Sequence, residues 1–475
     1  MKSFGLIAVL LVSSACLSQS ISQYPLARAD RNVVQLPSPL PTWGGANGAG
    51  AKWCNPEFNG LCIIRITDAN TNQGSSLTTA DTGDVQLVTK DSRHIAVRTP
   101  GRASIIRTFD PVTQAVGDTP LKFMYIVQPS ETDSQVLYGL KKTAIHKLTA
   151  NAAWTAVTDE IVYDYANDKC LGASYVPTWT GVFTIAGDPQ VFRTAFSNSG
   201  NQGSGNLVVA YSEQNGCSVL DTVAGTVTNN GVLVGSVDTP DRFRIHSGGI
   251  GRNPLYASTN PTIHQPDGRD GCLTAKKCAT QYFWQIGTTH LALCGPPGAT
   301  WYCDGHLGEL FSGAVSGHNY RFHGWYDPAE PLTSMGSLPD GGGDTHQSPT
   351  NGADINGQPL FIFSQIVNSP STYTVWGVNE IMAMALDGSG TVIRFGQNLN
   401  SGKSSNFVCQ NAIGTAFQSD GAPAPYALFT SDMGGTGQLG YEADGATPRC
   451  DVFAIETTKN EITVAQGETG LQASQ

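Results

Sequence analysis

The chain has 475 residues, 40% of them hydrophobic and 14% charged, with 54 glycines, a net charge of -11 and a pI near 5.2. That length holds one large all-β domain or two to three ordinary ones, and the glycine content suits many tight turns more than long helices. An acidic balance without a Lys/Arg-rich patch excludes nucleic acid and anionic membrane surfaces as partners.

Residues 1–22 read as a secretory signal peptide. Lys2 is its basic start, Phe4 to Val12 its apolar run, and Ser13-Ser14-Ala15 or the serines from Ser18 to Ser22 offer small residues for cleavage. The run is shorter than the roughly 20 residues that span a bilayer. No later stretch is apolar enough, so the expectation is a secreted or periplasmic protein, monomeric, with no transmembrane segment. Cys16 after Ala15 opens a second route, lipid anchoring, although Ser13 stands where a lipobox carries Leu or a similar residue. Beyond Cys16 there are ten cysteines, an even number that in an oxidising compartment allows up to five disulfides. Neighbour pairing gives 54–62, 170–217, 272–278, 294–303 and 409–450, but spacing alone leaves the connectivity open. No CxxC accompanies His318 and His323, which excludes a zinc finger. Sequons with a permitted middle residue are missing too, which favours a bacterial source.

Residues 23–62 are rich in Pro, Gly and Ala and are expected to form an irregular lead-in. From residue 63 to 458 the chain reads as short strands divided by Gly, Asp and Asn. The expected strands include Cys62 to Thr67, Ser104 to Phe109, Phe123 to Val127, Val136 to Leu140, Thr143 to Leu148 and Asn206 to Tyr211, with a turn at Gly117-Asp118. No capped amphipathic helix longer than about two turns is found. Residues 459–475 form a polar tail expected to be mobile.

Seven related units can be cut, starting near Leu77, Pro120, Gly181, Asp241, Cys303, Gly343 and Gly414. Repeats of about 40 to 50 residues, stretched by insertions, are the pattern of propeller blades. The fold expected is therefore all-β: a single β-propeller, seven-bladed and disulfide-stapled. Closing such a ring needs the chain ends to meet, and Ile63 to Thr67 is the strand expected to complete the last blade and remove its exposed edge.

The last unit runs Ser419-Asp420-Gly421, then Phe429-Thr430-Ser431-Asp432, then Asp451-Val452-Phe453. With a His near several unit starts and Phe283-Trp284 on an outer strand, this pattern resembles secreted bacterial propellers of the TolB and oligogalacturonate-lyase type over residues 77–458. The stretch from Gly341 to Gln365 condenses the pattern: a glycine run, His346, a turn at Asp354 to Gly357, and the strand Leu360 to Phe363.

His246, His306 and His346 stand at comparable places near the starts of successive units. Three imidazoles converging in a funnel can bind a divalent metal or supply a general base. The resemblance implies a metal (Mn, Ca or Zn) on His306, His346 and Gln347, with His246 as base and Arg244 stabilising charge. The chain lacks the tight His-x-His cluster of that family. A His at a blade start can also simply hydrogen-bond a neighbouring blade and lock the ring. A second cluster, Gly317 to Asp327, holds His318, His323, Tyr320, Arg321 and further aromatics. Aromatic faces stack on pyranose rings and Arg grips a carboxylate bidentately, so Tyr320 and Arg321 join the expected catalytic set. The expected activity is that of a polysaccharide-lyase-like enzyme acting on an extracellular polysaccharide or oligosaccharide. The alternative is a non-catalytic propeller scaffold that binds a glycan or a protein.

Overall fold

The structure, a computed structural model, describes residues 24–79, 87–100, 103–130, 133–142 and 144–164, then 175–177, 184–186, 191–198, 207–212, 216–221, 226–229, 232–236, 301–304, 308–313, 319–324, 333–337, 345–353, 359–365, 376–385, 392–401, 426–435 and 437–457. Between residues 175 and 361 the description is of backbone. The signal peptide, Cys16 and the tail 459–475 lie outside these residues.

The described chain is strand after strand, its only helix being two three-residue 3-10 turns, Gly45–Asn47 and Pro56–Phe58. β1 (Lys52–Asn55) and β2 (Leu61–Arg65) form a hairpin. β3 (His94–Arg98), β4 (Ser104–Phe109) and β5 (Val116–Phe123) make the next sheet, and β6 (Val127–Pro129), β7 (Val136–Lys141), β8 (Ala144–Ala150) and β9 (Val157–Asp164) the one after. A seven-stranded sheet follows: β10 (Tyr175–Pro177), β11 (Thr184–Ala186), β12 (Val191–Asn198), β13 (Leu207–Ser212), β14 (Gly216–Asp221), β15 (Thr226–Asn229) and β16 (Val232–Ser236). Two sheets of four complete the sequence of meanders: β17 (Trp301–Asp304) to β20 (Thr333–Ser337) through β18 (Gly308–Gly313) and β19 (Asn319–Gly324), and β21 (Thr345–Ala353) to β24 (Val392–Gln397) through β22 (Pro359–Gln365) and β23 (Glu380–Ala385). Finally β25 (Tyr426–Ser431) and β26 (Asp451–Glu456) join the N-terminal hairpin in the order β1-β2-β26-β25.

That last sheet ties the ends together. β2 pairs antiparallel with β26, Ile63 opposite Ile455 and Ile64 opposite Ala454, as the apolar run at Ile63 predicted. β2, β25 and β26 are buried at every position, because each is covered on both faces and reads as a continuous apolar run. Their cores are continuous with the neighbouring sheets. One cluster joins Ile381 and Ile393 of β23 and β24, Ile64, Phe429 and Phe453 of the closing sheet, and Ile95 and Ile105 of β3 and β4. A second joins Ile106 and Phe123 to Val127, Leu137 and Leu148. Thus four sheets stack face to face in chain order. Antiparallel meanders stacked in sequence, with both chain ends in one sheet, are the construction of a β-propeller.

Edge strands look different. β5 alternates between buried and exposed positions and tolerates the exposed Pro120, which a central strand does not. β9 is largely exposed.

Several expectations need correction. The unit start at Pro120 falls inside β5, and the Gly117-Asp118 turn is part of the same strand. A bulge there shifts the β4–β5 register, and Gly117 lets the Thr108 hydroxyl come within 2.5 Å of where a Cβ would be. The strand expected from Phe123 to Val127 is broken, since the chain passes from one sheet to the next at Met124, which is 89% exposed. The lead-in is irregular only to Ala51, because Lys52–Asn55 forms β1, and Tyr24, Val34 and Trp43 are buried in the core. The unit starting at Asp241 and the turn at Asp354 to Gly357 lie outside the described residues. Cys54 and Cys62 are bonded as neighbours, and Cys450 is also disulfide-bonded.

Candidate functional site

Arg65, the last residue of β2, interrupts the run Leu-Cys-Ile-Ile with a charge, yet it is fully buried. It is held from every side. Its Nε donates to Thr67 O and Asp451 Oδ2 at 3.0 Å, its Nη2 to the same Oδ2 at 2.6 Å, and its Nη1 to Trp43 O at 2.6 Å. Thr67 Oγ1 donates to Asp451 Oδ1 at 2.9 Å, and Arg449 Nη2 donates to Oδ2 at 2.6 Å. Arg107 of β4 reaches Ile66 O with its Nε at 3.1 Å and pairs with Asp118; burial lowers its pKa. These groups weld the lead-in, β2, β26 and β4 at one end of the closing sheet. Beside them Ser401 donates through its backbone N–H and hydroxyl to Asp432, whose carboxyl burial pushes upward.

A second charged cluster fixes the lead-in to the neighbouring sheet. Arg394 on β24 donates from Nε and Nη2 to the two carboxylate oxygens of Glu380 on β23, at 2.5 and 2.6 Å, and from Nη1 to Asp30 O at 2.8 Å. Asp30 in turn takes two N–H donors from Arg28, which lowers its pKa to about 2. The Arg394 guanidinium lies 5.7 Å over Phe58 and 6.0 Å over Trp376. Burial raises the Glu380 carboxyl. Both clusters join segments far apart in the chain, Arg65 to Asp451 and Arg394 to Asp30.

Two histidines have described side chains, and both are engaged in packing. His94 stacks on Trp154 with centroids 3.8 Å apart and planes 14° apart, and burial lowers its pKa. His146 on β8 pairs its Nδ1 with Asp159 Oδ1 on β9 at 2.6 Å. Tyr125 lies beside it, fitting over Gly139 because that position has no Cβ.

The residues expected from sequence divide as follows. His346 and Gln347 lie on β21, the end strand of its sheet, opposite Ser364 and Phe363 respectively. Tyr320 and Arg321 lie on β19, an interior strand two places from the end strand β17, opposite Ser312 and Phe311. Strands are about 4.8 Å apart, so if β17 and β21 both face the axis, β19 stands roughly 10 Å further out. His306 falls between β17 and β18; it, His246 and Arg244 lie outside the described residues. Pairing along β21 is regular from Thr345 to Pro349, and the imidazole and amide groups of the expected set His306, His346 and Gln347 are donor types that a divalent metal takes.

What the sequence reading missed is the ionic weld. Its signal was present in Arg65 at the end of an apolar run and in Arg449-Cys450-Asp451 before another, since a charge embedded in a buried strand demands a partner.

No protein-family model and no curated protein sequence matches this chain. Among solved structures it is similar to an oligogalacturonate lyase from Vibrio parahaemolyticus, at 9% identity and TM-score 0.45, covering 91% of this chain and 99% of that one. It is also similar to an oligogalacturonate lyase in complex with manganese, at 11% identity and TM-score 0.44 with the same coverage. A periplasmic gluconolactonase from Pseudomonas aeruginosa follows at 12% identity and TM-score 0.28, covering 81% of this chain and 96% of that one. Likenesses of this size leave the function to be argued from the chain's own residues.

Proposed function

We propose that the chain is an exported, seven-bladed, disulfide-stapled propeller that acts on an extracellular carbohydrate in the manner of a polysaccharide lyase. The observation that carries the reading is the position of His346 on β21, the end strand of a sheet in a stack whose chain ends close on each other. End strands of successive blades gather at one axis, where His246 and His306 of neighbouring units would meet it.

A lyase must neutralise a uronate carboxylate and remove the proton beside it. Arg244 or Arg321 suits the first task, because guanidinium binds carboxylate bidentately. His246 suits the second, because imidazole exchanges protons near neutral pH. The electron pair left behind forms a carbon–carbon double bond as the glycosidic oxygen departs. Tyr320 offers an aromatic face for a sugar ring. A divalent metal, if bound, would be held by His306, His346 and Gln347.

A second reading, a glycan- or protein-binding propeller without chemistry, draws support from His94 and His146, which serve packing. Elemental analysis by ICP mass spectrometry separates the two readings, run on the mature protein and on H306A/H346A alongside a uronate-polymer assay. Stoichiometric Mn, Ca or Zn lost in the variant, with new double-bond absorbance from the wild type, supports the enzyme. A metal-free, inert but folded wild type overturns it.

A further inference from the structure

Cys54 and Cys62 stand directly opposite each other across the β1–β2 hairpin and are disulfide-bonded. The hydrogen-bond ladder decides what kind of pair they are. Arg65 donates its backbone N–H to Ala51 O at 2.9 Å, which makes Ala51 and Arg65 a hydrogen-bonded pair. Pairing is regular from Lys52 opposite Ile64 to Asn55 opposite Leu61, and the two kinds of pair alternate along an antiparallel ladder. Cys54 and Cys62 therefore form a non-hydrogen-bonded pair. The Cys62 N–H agrees, since it turns away from β1 and donates to Glu456 Oε2 at 2.8 Å.

A pair of this kind holds its Cα atoms about 4.5 Å apart, at the short end of the roughly 4.4–6.8 Å that disulfides span. A bond confined in this way is more easily reduced than one free to choose its spacing, and so is an exposed one.

The two sulfurs differ in access. Cys54 is exposed on β1, the end strand of the closing sheet, whereas Cys62 is 7% exposed on the strand behind it. Charge sorts them the same way. Lys52, two positions along on the Cys54 face, is exposed and bonds the neutral amide oxygen of Gln114 through its Nζ at 2.9 Å. The Glu456 carboxylate lies on the Cys62 side, and Glu57 of the hairpin loop lies 3.9 Å from Arg28. An anionic nucleophile is thus drawn to Cys54. The hairpin also has other ties. β1 keeps its ladder to β2, and Trp53 packs against the main core.

We propose that Cys54–Cys62 is a reversible thiol-exchange site, opened in the folded protein by low-molecular-weight thiols that attack Cys54. The incoming thiolate bonds to Cys54 Sγ as the bond between the two cysteines breaks. Its electron pair leaves on Cys62 Sγ, which takes a proton from water. A second thiolate attacks the small-molecule sulfur of the mixed disulfide, releasing Cys54 as a thiol and carrying away the oxidised small disulfide.

The test incubates the folded mature chain with reduced and oxidised glutathione in varied ratio, quenches with acid, alkylates free thiols and maps them by mass spectrometry. Circular dichroism is recorded on the same samples. In excess reduced glutathione Cys54 and Cys62 should open in at least about half of the molecules with the spectrum unchanged. At early times the glutathione adduct should favour Cys54 over Cys62 by about tenfold or more. The single variants C62S and C54S read the same asymmetry, the free Cys54 reacting with N-ethylmaleimide about tenfold faster than the free Cys62; the wild-type mapping stands even if a variant does not fold. A pair that stays closed in reduced glutathione, opening only together with loss of the folded spectrum, or an adduct mainly on Cys62 would each overturn the proposal.

Discussion

Changing Glu380 to Gln tests whether the Arg394–Glu380 pair holds the lead-in to the body of the fold. The side chains are 0% and 2% exposed and share two charge-assisted hydrogen bonds at 2.5 and 2.6 Å. Glutamine keeps one acceptor but leaves the guanidinium buried without its carboxylate, a change that costs about 3–5 kcal/mol. Asp30 Oδ1, 3.4 Å from Arg394 Nη1, supplies partial compensation, so the expected loss is about 3 kcal/mol. The reciprocal variant R394M behaves differently because a carboxyl can protonate. Burial already raises Glu380 above its ordinary value, and removing the arginine, which opposes that rise, raises it further. A raised carboxylate pKa in the folded state means stability present at low pH and lost as pH rises through that pKa. R394M should therefore cost less near pH 5 than near pH 8. The double variant R394M/E380L, which removes both charges, should lie within about 2 kcal/mol of the wild type. Urea unfolding at the two pH values, with matching m-values as the check on two-state behaviour, measures all of this. If E380Q costs less than about 1 kcal/mol, or R394M shows no pH dependence, the reasoning is refuted.

G139A puts a Cβ 2.5 Å from Tyr125 Cε2 and 3.2 Å from Val127 Cγ1; a loss of about 1–3 kcal/mol is expected, and an unchanged urea midpoint would contradict it. D30N should flatten the acid limb of stability between pH 3.8 and about 2, where the wild-type carboxyl, depressed by Arg28, loses its stabilisation as pH falls; acid titration followed by circular dichroism reads this. C54S/C62S opens a loop with a sequence separation of 8, for which loop entropy predicts a loss of about 2.5 kcal/mol. Equal stability of the oxidised wild type and the double serine variant would refute that estimate. H246A should lower uronate-polymer cleavage by a factor of about 10²–10⁴ with its unfolding midpoint unchanged, and full activity would remove His246 from the catalytic set.

Local pattern in this chain was enough to locate the central strands. β4, β7, β8 and β13 lie within a residue or two of where alternation and apolar runs put them; β4 and β7 are buried at nearly every position, and a strand buried on both faces writes itself as a run of β-branched and aromatic residues. The ring-closing role of Ile63 was legible for the same reason: an isolated apolar strand near one chain end needs an edge to cover. Edge strands were less legible. β5 carries Gly117, Asp118 and Pro120, which signal a turn unless one knows that the strand is an edge, and only the neighbouring sheet decides that.

The sequence by itself thus determined an all-β chain of short antiparallel strands with its ends brought together, since strand periodicity is a property of consecutive residues. Tertiary structure alone decided which charges are buried and against what. Arg65 meets Asp451 across 386 positions of chain, and Arg394 meets Asp30 across 364. No local pattern encodes such partners, because an ion pair in a core is set by which sheets stack face to face.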